Sequence, residues 1–341
     1  MSKKHRAAIV GLGMAHGQHL QSLRDLKHRV EIAAAFTPSP QRREAFGRAN
    51  PDVKVTDSLD PILADASIDV VLILTPPRTH LDLVERCAAA GKHVLLEKPV
   101  EVTTERAEKT VEAMERAGRC LAIMLQNRFR EGSRRLAAVT KAGELGPLIS
   151  GSTSIRWWRS PEYFAQAGRG MKARDGGGVL ITQAIHTLDL FLSLTGPIDR
   201  VAAMAATSPL RKIDTEDVVG AAIRFAGGAI GTIDATTVAY PGFSERIELA
   251  CAKGTAVLTA GDLVIHWKDG RDERVVSDQG SGGGADPMAF SHRGHMALIA
   301  DFLDAIDEGR DPEVSGRSAL AVHRLIDALL ASAESGKTAS P

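Results

Sequence analysis

The chain has 341 residues, enough for two domains at roughly 150 residues each. Apolar residues make up 44% and charged residues 25%, the composition of a chain that buries a sizeable core. Lys plus Arg and Asp plus Glu both total 42, so there is no basic excess of the kind a dedicated nucleic-acid binder carries, and the longest aliphatic run, Val70 to Leu74, is too short to span a bilayer.

The start of the chain imitates a secretory leader, with Lys3, Lys4 and Arg6 ahead of an apolar stretch. Gly11 and Gly13 break that stretch, and Ala15-His16-Gly17 makes a poor cleavage site. Cys87, Cys120 and Cys251 lie far apart at no metal-binding spacing. An odd, scattered set of thiols is expected to stay reduced in the cytoplasm, and no metal is expected.

From the amino end, short apolar runs alternate with helical patterns. Arg6 to Val10, Val30 to Phe36, Val53 to Val55, Val70 to Leu74, His93 to Leu96 and Cys120 to Leu125 read as strands. Between them, Leu20, Leu23 and Leu26 recur at helical spacing. Pro40 opens a second helix, Ser58 caps a third, His80 to Ala90 forms a fourth, and Thr103 or Thr104 caps a fifth. Six strands separated by helices predict a doubly wound parallel sheet.

After Gln126 the texture changes. Leu148 to Trp158, Val218 to Phe225, Ala229 to Val238, Arg246 to Ala252, Ala256 to Thr259 and Leu263 to Trp267 read as strands, with Gly227-Gly228 and Lys253-Gly254 as hairpin turns. Close succession of strands predicts a mostly antiparallel sheet in an α+β domain. Gly280 to Gly284 reads as a flexible loop. Met296, Ile299, Leu303 and Ile306 mark a long helix, Ala319 to Ala331 another, and the tail from Ser335 is expected to fray. The expected division is 1–126 and 127–341.

Four motifs carry chemistry. Gly11-Leu12-Gly13-Met14-Ala15-His16-Gly17 stands between the first strand and the first helix, where Gly11 permits a tight turn and Gly13 admits a pyrophosphate. Gly11, Gly13, Met14 and Ala15 are the expected contacts, although a third glycine at position 16 is replaced by His16. The second strand ends at Thr37 without the acidic residue that would bind an adenosine 2′-hydroxyl. Thr37, Ser39, Arg42 and Arg43 suit a 2′-phosphate, which favours NADP over NAD; the alternative is that the arginines form a solvated helix face.

Glu97-Lys98-Pro99 ends the fifth strand, on the side of a parallel sheet where ligands bind, and a lysine there can polarise a substrate oxygen. From Val179, after Gly176-Gly177-Gly178, a helix would place Thr182 and His186 one turn apart on one face. Asp189 then either orients the His186 ring or makes a surface contact. Trp157, Trp158, Arg159, Tyr163, Arg169 and Arg174 suit a sugar ring or a carboxylated substrate, or else fill an interface.

Gly11-x-Gly13, Thr75-Pro76-Pro77-x-x-His80, Glu97-Lys98-Pro99, Asn127-Arg128-Phe129 and the Gly176-to-Asp189 block occur in an order that resembles the glucose–fructose oxidoreductase, inositol dehydrogenase and rhizopine catabolism (Gfo/Idh/MocA) family, over nearly the whole chain. The resemblance implies an N-terminal Rossmann domain binding NAD(P) and a C-terminal α+β domain with a large open sheet that packs against other subunits as a dimer or tetramer. It implies oxidation of a secondary alcohol of a sugar, inositol or related polyol, or the reverse. By the same resemblance Lys98 is the catalytic lysine, preceding a cis peptide, and His186 the proton-transfer histidine. Thr75, Pro76, His80, Glu97 and Gln126 fall where relatives bind the nicotinamide half. Asn127, Arg128, Trp158, Arg159, Arg169, Gln183 and His186 are the substrate candidates. Thr182 stands where many members carry Asp, so it supplies a hydroxyl in place of a charge. Two other activities fit the same fold: a non-catalytic sensor of cofactor or sugar, and an NAD-dependent glycosidase.

Overall fold

The computed structural model describes residues 4–166, 168–277 and 291–341, so the Gly280 to Gly284 run lies outside the described residues. The chain divides into two compact units, 1–124 with 295–320 and 125–294 with 321–341.

In the first unit, six strands, β1 (His5–Val10), β2 (Val30–Phe36), β3 (Lys54–Thr56), β4 (Val70–Ile73), β5 (His93–Leu96) and β6 (Leu121–Ile123), pair in parallel in the order β3-β2-β1-β4-β5-β6. Helices α1 (His16–Asp25), α2 (Pro40–Ala49), α3 (Asp60–Ala64), α4 (His80–Ala89) and α5 (Thr104–Arg116) connect them. The central strands are buried almost throughout, as required of a parallel sheet covered on both faces. The order reverses between β1 and β4, and at such a switch point the loops leaving the strands part to admit a ligand.

A single division after residue 126 does not describe this unit, because the chain returns to it late. Ile123 donates its amide to Val314, Ala122 bridges Ser315, and Arg29 pairs with Asp304 and Asp307.

The second unit carries α6 (Glu131–Lys141), α7 (Pro161–Phe164), α8 (Lys172–Asp175) and α9 (Ile185–Thr195). Its eight strands are β7 (Leu148–Arg156), β8 (Ile198–Ala206), β9 (Val218–Phe225), β10 (Ile230–Thr236), β11 (Arg246–Cys251), β12 (Gly254–Thr259), β13 (Asp262–Trp267) and β14 (Asp272–Val275). They run in the order β14-β13-β12-β11-β7-β10-β9-β8, antiparallel except for β7 beside β10. One face packs on α6 and α9, while Met204 and Ile230 remain exposed on the other. The last helices are α10 (Arg293–Glu308) and α11 (Gly316–Ser335).

Two strands escaped the sequence reading. Along β8, Ala202, Met204 and Ala206 occupy the exposed positions, which erases the polar–apolar alternation that marks a half-buried strand. The strand β14 is short and charged, as edge strands often are. The tail does not fray: Ala339 exchanges two backbone hydrogen bonds with Val201, and Ser332 donates to the Lys337 carbonyl at 2.6 Å. The unpaired edge of β8 provides the partner.

The stretch Lys172–Thr195 is long and apolar enough by composition to cross a membrane, although no unbroken aliphatic run marks it. Most of it is buried inside the protein, so packing accounts for its apolarity.

Candidate active site

In the first unit, the expected residues gather at the carboxyl ends of the parallel strands. Gly11 has φ +103°, and a Cβ there would lie 2.9 Å from both the Leu74 carbonyl carbon and the Thr75 methyl, so only glycine fits between β1 and β4. A Cβ on Gly13 would meet nothing nearer than the Arg42 guanidinium at 4.0 Å. That opening, and the lack of any side-chain cap at Ala15, suit the start of α1 to an anion. Met14 is half exposed beside them. His16 replaces the third glycine by turning Nδ1 to within 2.6 Å of the Gly13 carbonyl and laying its ring edge-on to Phe46. The residues present fit a dinucleotide pyrophosphate.

At the end of β2, Thr37 is buried, and Ser39 caps α2 by accepting the Arg42 amide. Arg43 donates to the Thr37 and Pro38 carbonyls, which spends much of its guanidinium on holding the loop. Arg42 is exposed, and no side-chain hydrogen bond holds its guanidinium among the described residues. Of the two arginines, Arg42 alone is free to meet a phosphate.

Thr75 hydrogen-bonds Thr79 through its hydroxyl at 2.7 Å, next to an exposed Pro76. His80 is fully buried, with Nε2 2.9 Å from the Thr75 carbonyl and Nδ1 3.1 Å from that of Pro99. It therefore supports the strand ends and presents no surface to a ribose, a correction to the contact that the resemblance implies.

The Lys98–Pro99 peptide is cis. The Lys98 amide donates to Glu97 Oε2 at 3.1 Å, and Glu97 Oε1 meets His19 Nε2 at 2.6 Å. Burial works to raise the Glu97 pKa, yet the hydrogen bond and charge of His19, with His295 and Lys98 nearby, hold it down at about 2. His19 was not anticipated. The signal available was a polar residue on the apolar face of a helix whose other buried members are Ser22 and Leu23.

The second unit holds the remaining residues. Gln126 and Asn127 are buried in a single 3-10 turn, Gln126–Phe129, and Gln126 Oε1 finds no partner among the described residues. Arg128 donates from Nε to Asp189 Oδ2 at 2.7 Å and from Nη2 to Oδ1, so Asp189 is neither the orienter of His186 nor a surface group. Burial raises the Asp189 pKa more than Arg128 lowers it.

The glycine run is explained by Glu216. Gly176 ends α8 in a left-handed conformation, and a Cβ on Gly178 would lie 1.8 Å from the Glu216 carbonyl oxygen. The Glu216 carboxylate accepts the amides of Gly178 and Leu180, at 3.0 and 3.1 Å, and caps the helix that follows. Burial raises its pKa against the pull of those amides. The helix opens with a π-turn, Leu180–Ala184, which leads directly into α9. There Thr182 donates to the Gly178 carbonyl at 2.6 Å and also bonds Gln183, whose amide donates to the Tyr163 hydroxyl. His186 follows on the first turn of α9, half-buried.

Arg169, Thr182 and Gln183 line one small cavity together with Tyr163, Glu216 and Asp217. Arg169 stacks on Tyr163 and donates to its hydroxyl at 2.9 Å, leaving Nε buried without a partner among the described residues. Arg159 is buried over the Trp157 ring, and Trp158 meets Tyr240 edge-on.

Comparison with known proteins shows the family. Residues 5–125 match the model of the oxidoreductase family with an NAD-binding Rossmann fold, and residues 133–257 match the GFO/IDH/MocA C-terminal domain. The chain belongs to the Gfo/Idh/MocA oxidoreductase family. It is 27% identical to D-apiose dehydrogenase of Paraburkholderia graminis over 98% of this chain and 89% of that one. It is 25% identical to myo-inositol 2-dehydrogenase of Thermotoga maritima, over 91% of each. Among solved structures, the WlbA dehydrogenase of Bordetella pertussis in complex with NADH and UDP-GlcNAcA is 27% identical, with a TM-score of 0.85 over 99% of each chain. For a Gfo/Idh/MocA protein, the 3-2-1-4-5-6 sheet with Gly11 at its switch point is the NAD-binding Rossmann fold expected from the sequence.

Proposed function

We propose that this Gfo/Idh/MocA oxidoreductase moves a hydride between nicotinamide and a secondary alcohol or ketone of a sugar, inositol, related cyclic polyol or carboxylated ring. The observation that carries the reading is Lys98, set at the carboxyl end of β5 in a sheet whose switch point fits a pyrophosphate. The names of the relatives, D-apiose and myo-inositol dehydrogenases and a dehydrogenase holding a sugar nucleotide, support the substrate class.

Bound nicotinamide supplies the hydride acceptor. Lys98 hydrogen-bonds the reacting oxygen, and His186 takes the hydroxyl proton as the carbinol becomes a carbonyl. Thr182 serves as a positioning residue, since its hydroxyl is engaged with Gly178 and Gln183. NADP is the preferred cofactor, on the strength of Arg42 beside the Gly13 opening and the absence of an acid at the end of β2. Asn127, Trp158, Arg159, Arg169 and Gln183 contribute to substrate binding, and Arg128 does so indirectly through Asp189. The exposed apolar face of the large sheet, with Met204 and Ile230, supports a homo-oligomer. Three unpaired cysteines support a cytoplasmic location.

A screen of sugars, inositols and dihydrodiols against both NAD and NADP, followed at roughly 340 nm where reduced nicotinamide absorbs, tests the proposal. Reduction with at least one of these classes is expected. Failure of all of them with both cofactors overturns it.

A further inference from the structure

One cluster in the first unit takes no part in the hydride and proton transfer just described. His19 from the buried side of α1, Glu97 at the end of β5 and His295 in the first turn of α10 converge, with one donor atom from each within 4.8 Å of the other two. Both histidines are buried, and their rings meet edge-on with centroids 5.1 Å apart. His19 Nε2 faces Glu97 Oε1 at 2.6 Å, while His19 Nδ1 is buried with no hydrogen-bond partner among the described residues.

Two imidazoles and one carboxylate make a donor set suited to borderline divalent metals such as zinc or cobalt, and a poor one for calcium or magnesium, which take oxygen ligands. We propose that His19, Glu97 and His295 form a three-ligand site for a divalent ion of the zinc class. Bonds of about 2.0–2.1 Å in tetrahedral geometry put ligand atoms about 3.4 Å apart. The close His19–Glu97 contact then opens by roughly 0.8 Å, and the widest pair closes by at most about 1.4 Å. These shifts involve the ends of side chains. The proton between His19 and Glu97 leaves to solvent as the ion takes both lone pairs, and the fourth coordination position stays open to water.

Such an ion ties α1, the end of β5 and α10 together, three segments distant in sequence. It also draws on the carboxylate that now accepts the Lys98 amide. Binding to the folded chain alone raises its melting temperature. None of this depends on the proposed activity.

The test is a titration of the full chain, freed of metal by chelation, with cobalt and with zinc. Cobalt is expected to give the visible ligand-field bands of a tetrahedral site at one ion per chain, and zinc at ~100 times its Kd to raise the Tm by about 3 °C or more. Both effects are expected to vanish in His19→Gln and His295→Gln. Absence of the bands, or bands and a Tm shift that survive in both variants, overturns the proposal. Should either variant fail to fold, anomalous diffraction from zinc-soaked crystals of the natural chain decides. A peak bounded by the three side chains supports the site, and a peak elsewhere or no peak overturns it.

Discussion

His80 and Pro99 are joined inside the first unit, the imidazole Nδ1 lying 3.1 Å from the Pro99 carbonyl oxygen while Nε2 reaches the Thr75 carbonyl from its other side. One buried ring thus ties the segments that follow β4 and β5. Burial lowers its pKa below the ordinary 6.5, against the pull of the carbonyls and of Glu101. His80→Ala is expected to cost about 2–4 kcal/mol of stability, from lost packing and unsatisfied carbonyls. It should also lower turnover more than cofactor affinity. Urea denaturation with parallel turnover assays checks both; unchanged stability would contradict this role.

Arg128 and Asp189 test the value of a buried ion pair. Burial raises the Asp189 pKa against the pull of the guanidinium, and two hydrogen bonds from Nε and Nη2 hold the carboxylate in place. Asp189→Asn, which removes the carboxylate charge from beside a largely buried guanidinium, is expected to destabilise the protein by about 3–5 kcal/mol. The double variant Arg128→Met/Asp189→Leu should recover most of that loss. A double-mutant cycle by chemical denaturation measures the recovery.

His5 gives the fold a pH-dependent contribution to stability. Its hydrogen bond to Asp69 raises its pKa above 6.5; burial opposes this, while Asp307 adds to it. A raised folded pKa means that the contribution is fully present below about 6.5, the unfolded value, and fades as pH rises through the folded one. The stability difference between the natural chain and His5→Gln should therefore shrink as pH rises above about 6.5. A difference that grows with pH would show that His5 is not held in its charged form.

Most of the first sheet was legible because its strands are nearly continuous apolar runs bounded by glycine and proline. What stayed hidden depends on contacts between distant segments. The role of Gly178 requires Glu216, 38 residues on, to be brought against it. Asp189 looked like a neighbour for His186 at helical spacing, but its partner Arg128 comes from another element 61 residues away. The π-turn at Leu180–Ala184 leaves no mark in hydrophobic spacing, since all but Thr182 of its residues are buried. His19 and His295 could not be paired by any local motif, because metal spacings are read within one segment.

Arg42→Ala is expected to raise the KM for NADP by about tenfold while leaving that for NAD within about twofold, the effect of losing one charge-assisted phosphate contact. Arg43→Ala should weaken both cofactors alike, through the loop it braces at Thr37 and Pro38. Initial rates against each cofactor separate the two outcomes, and equal losses for NAD and NADP in Arg42→Ala would remove the preference for NADP.

The most direct test of the account is Lys98→Ala, assayed for turnover with the best substrate from the screen and for binding of the reduced cofactor by fluorescence titration. A fall in kcat of at least ~100-fold, with cofactor Kd nearly unchanged, is the predicted result. Turnover close to that of the natural chain would contradict it.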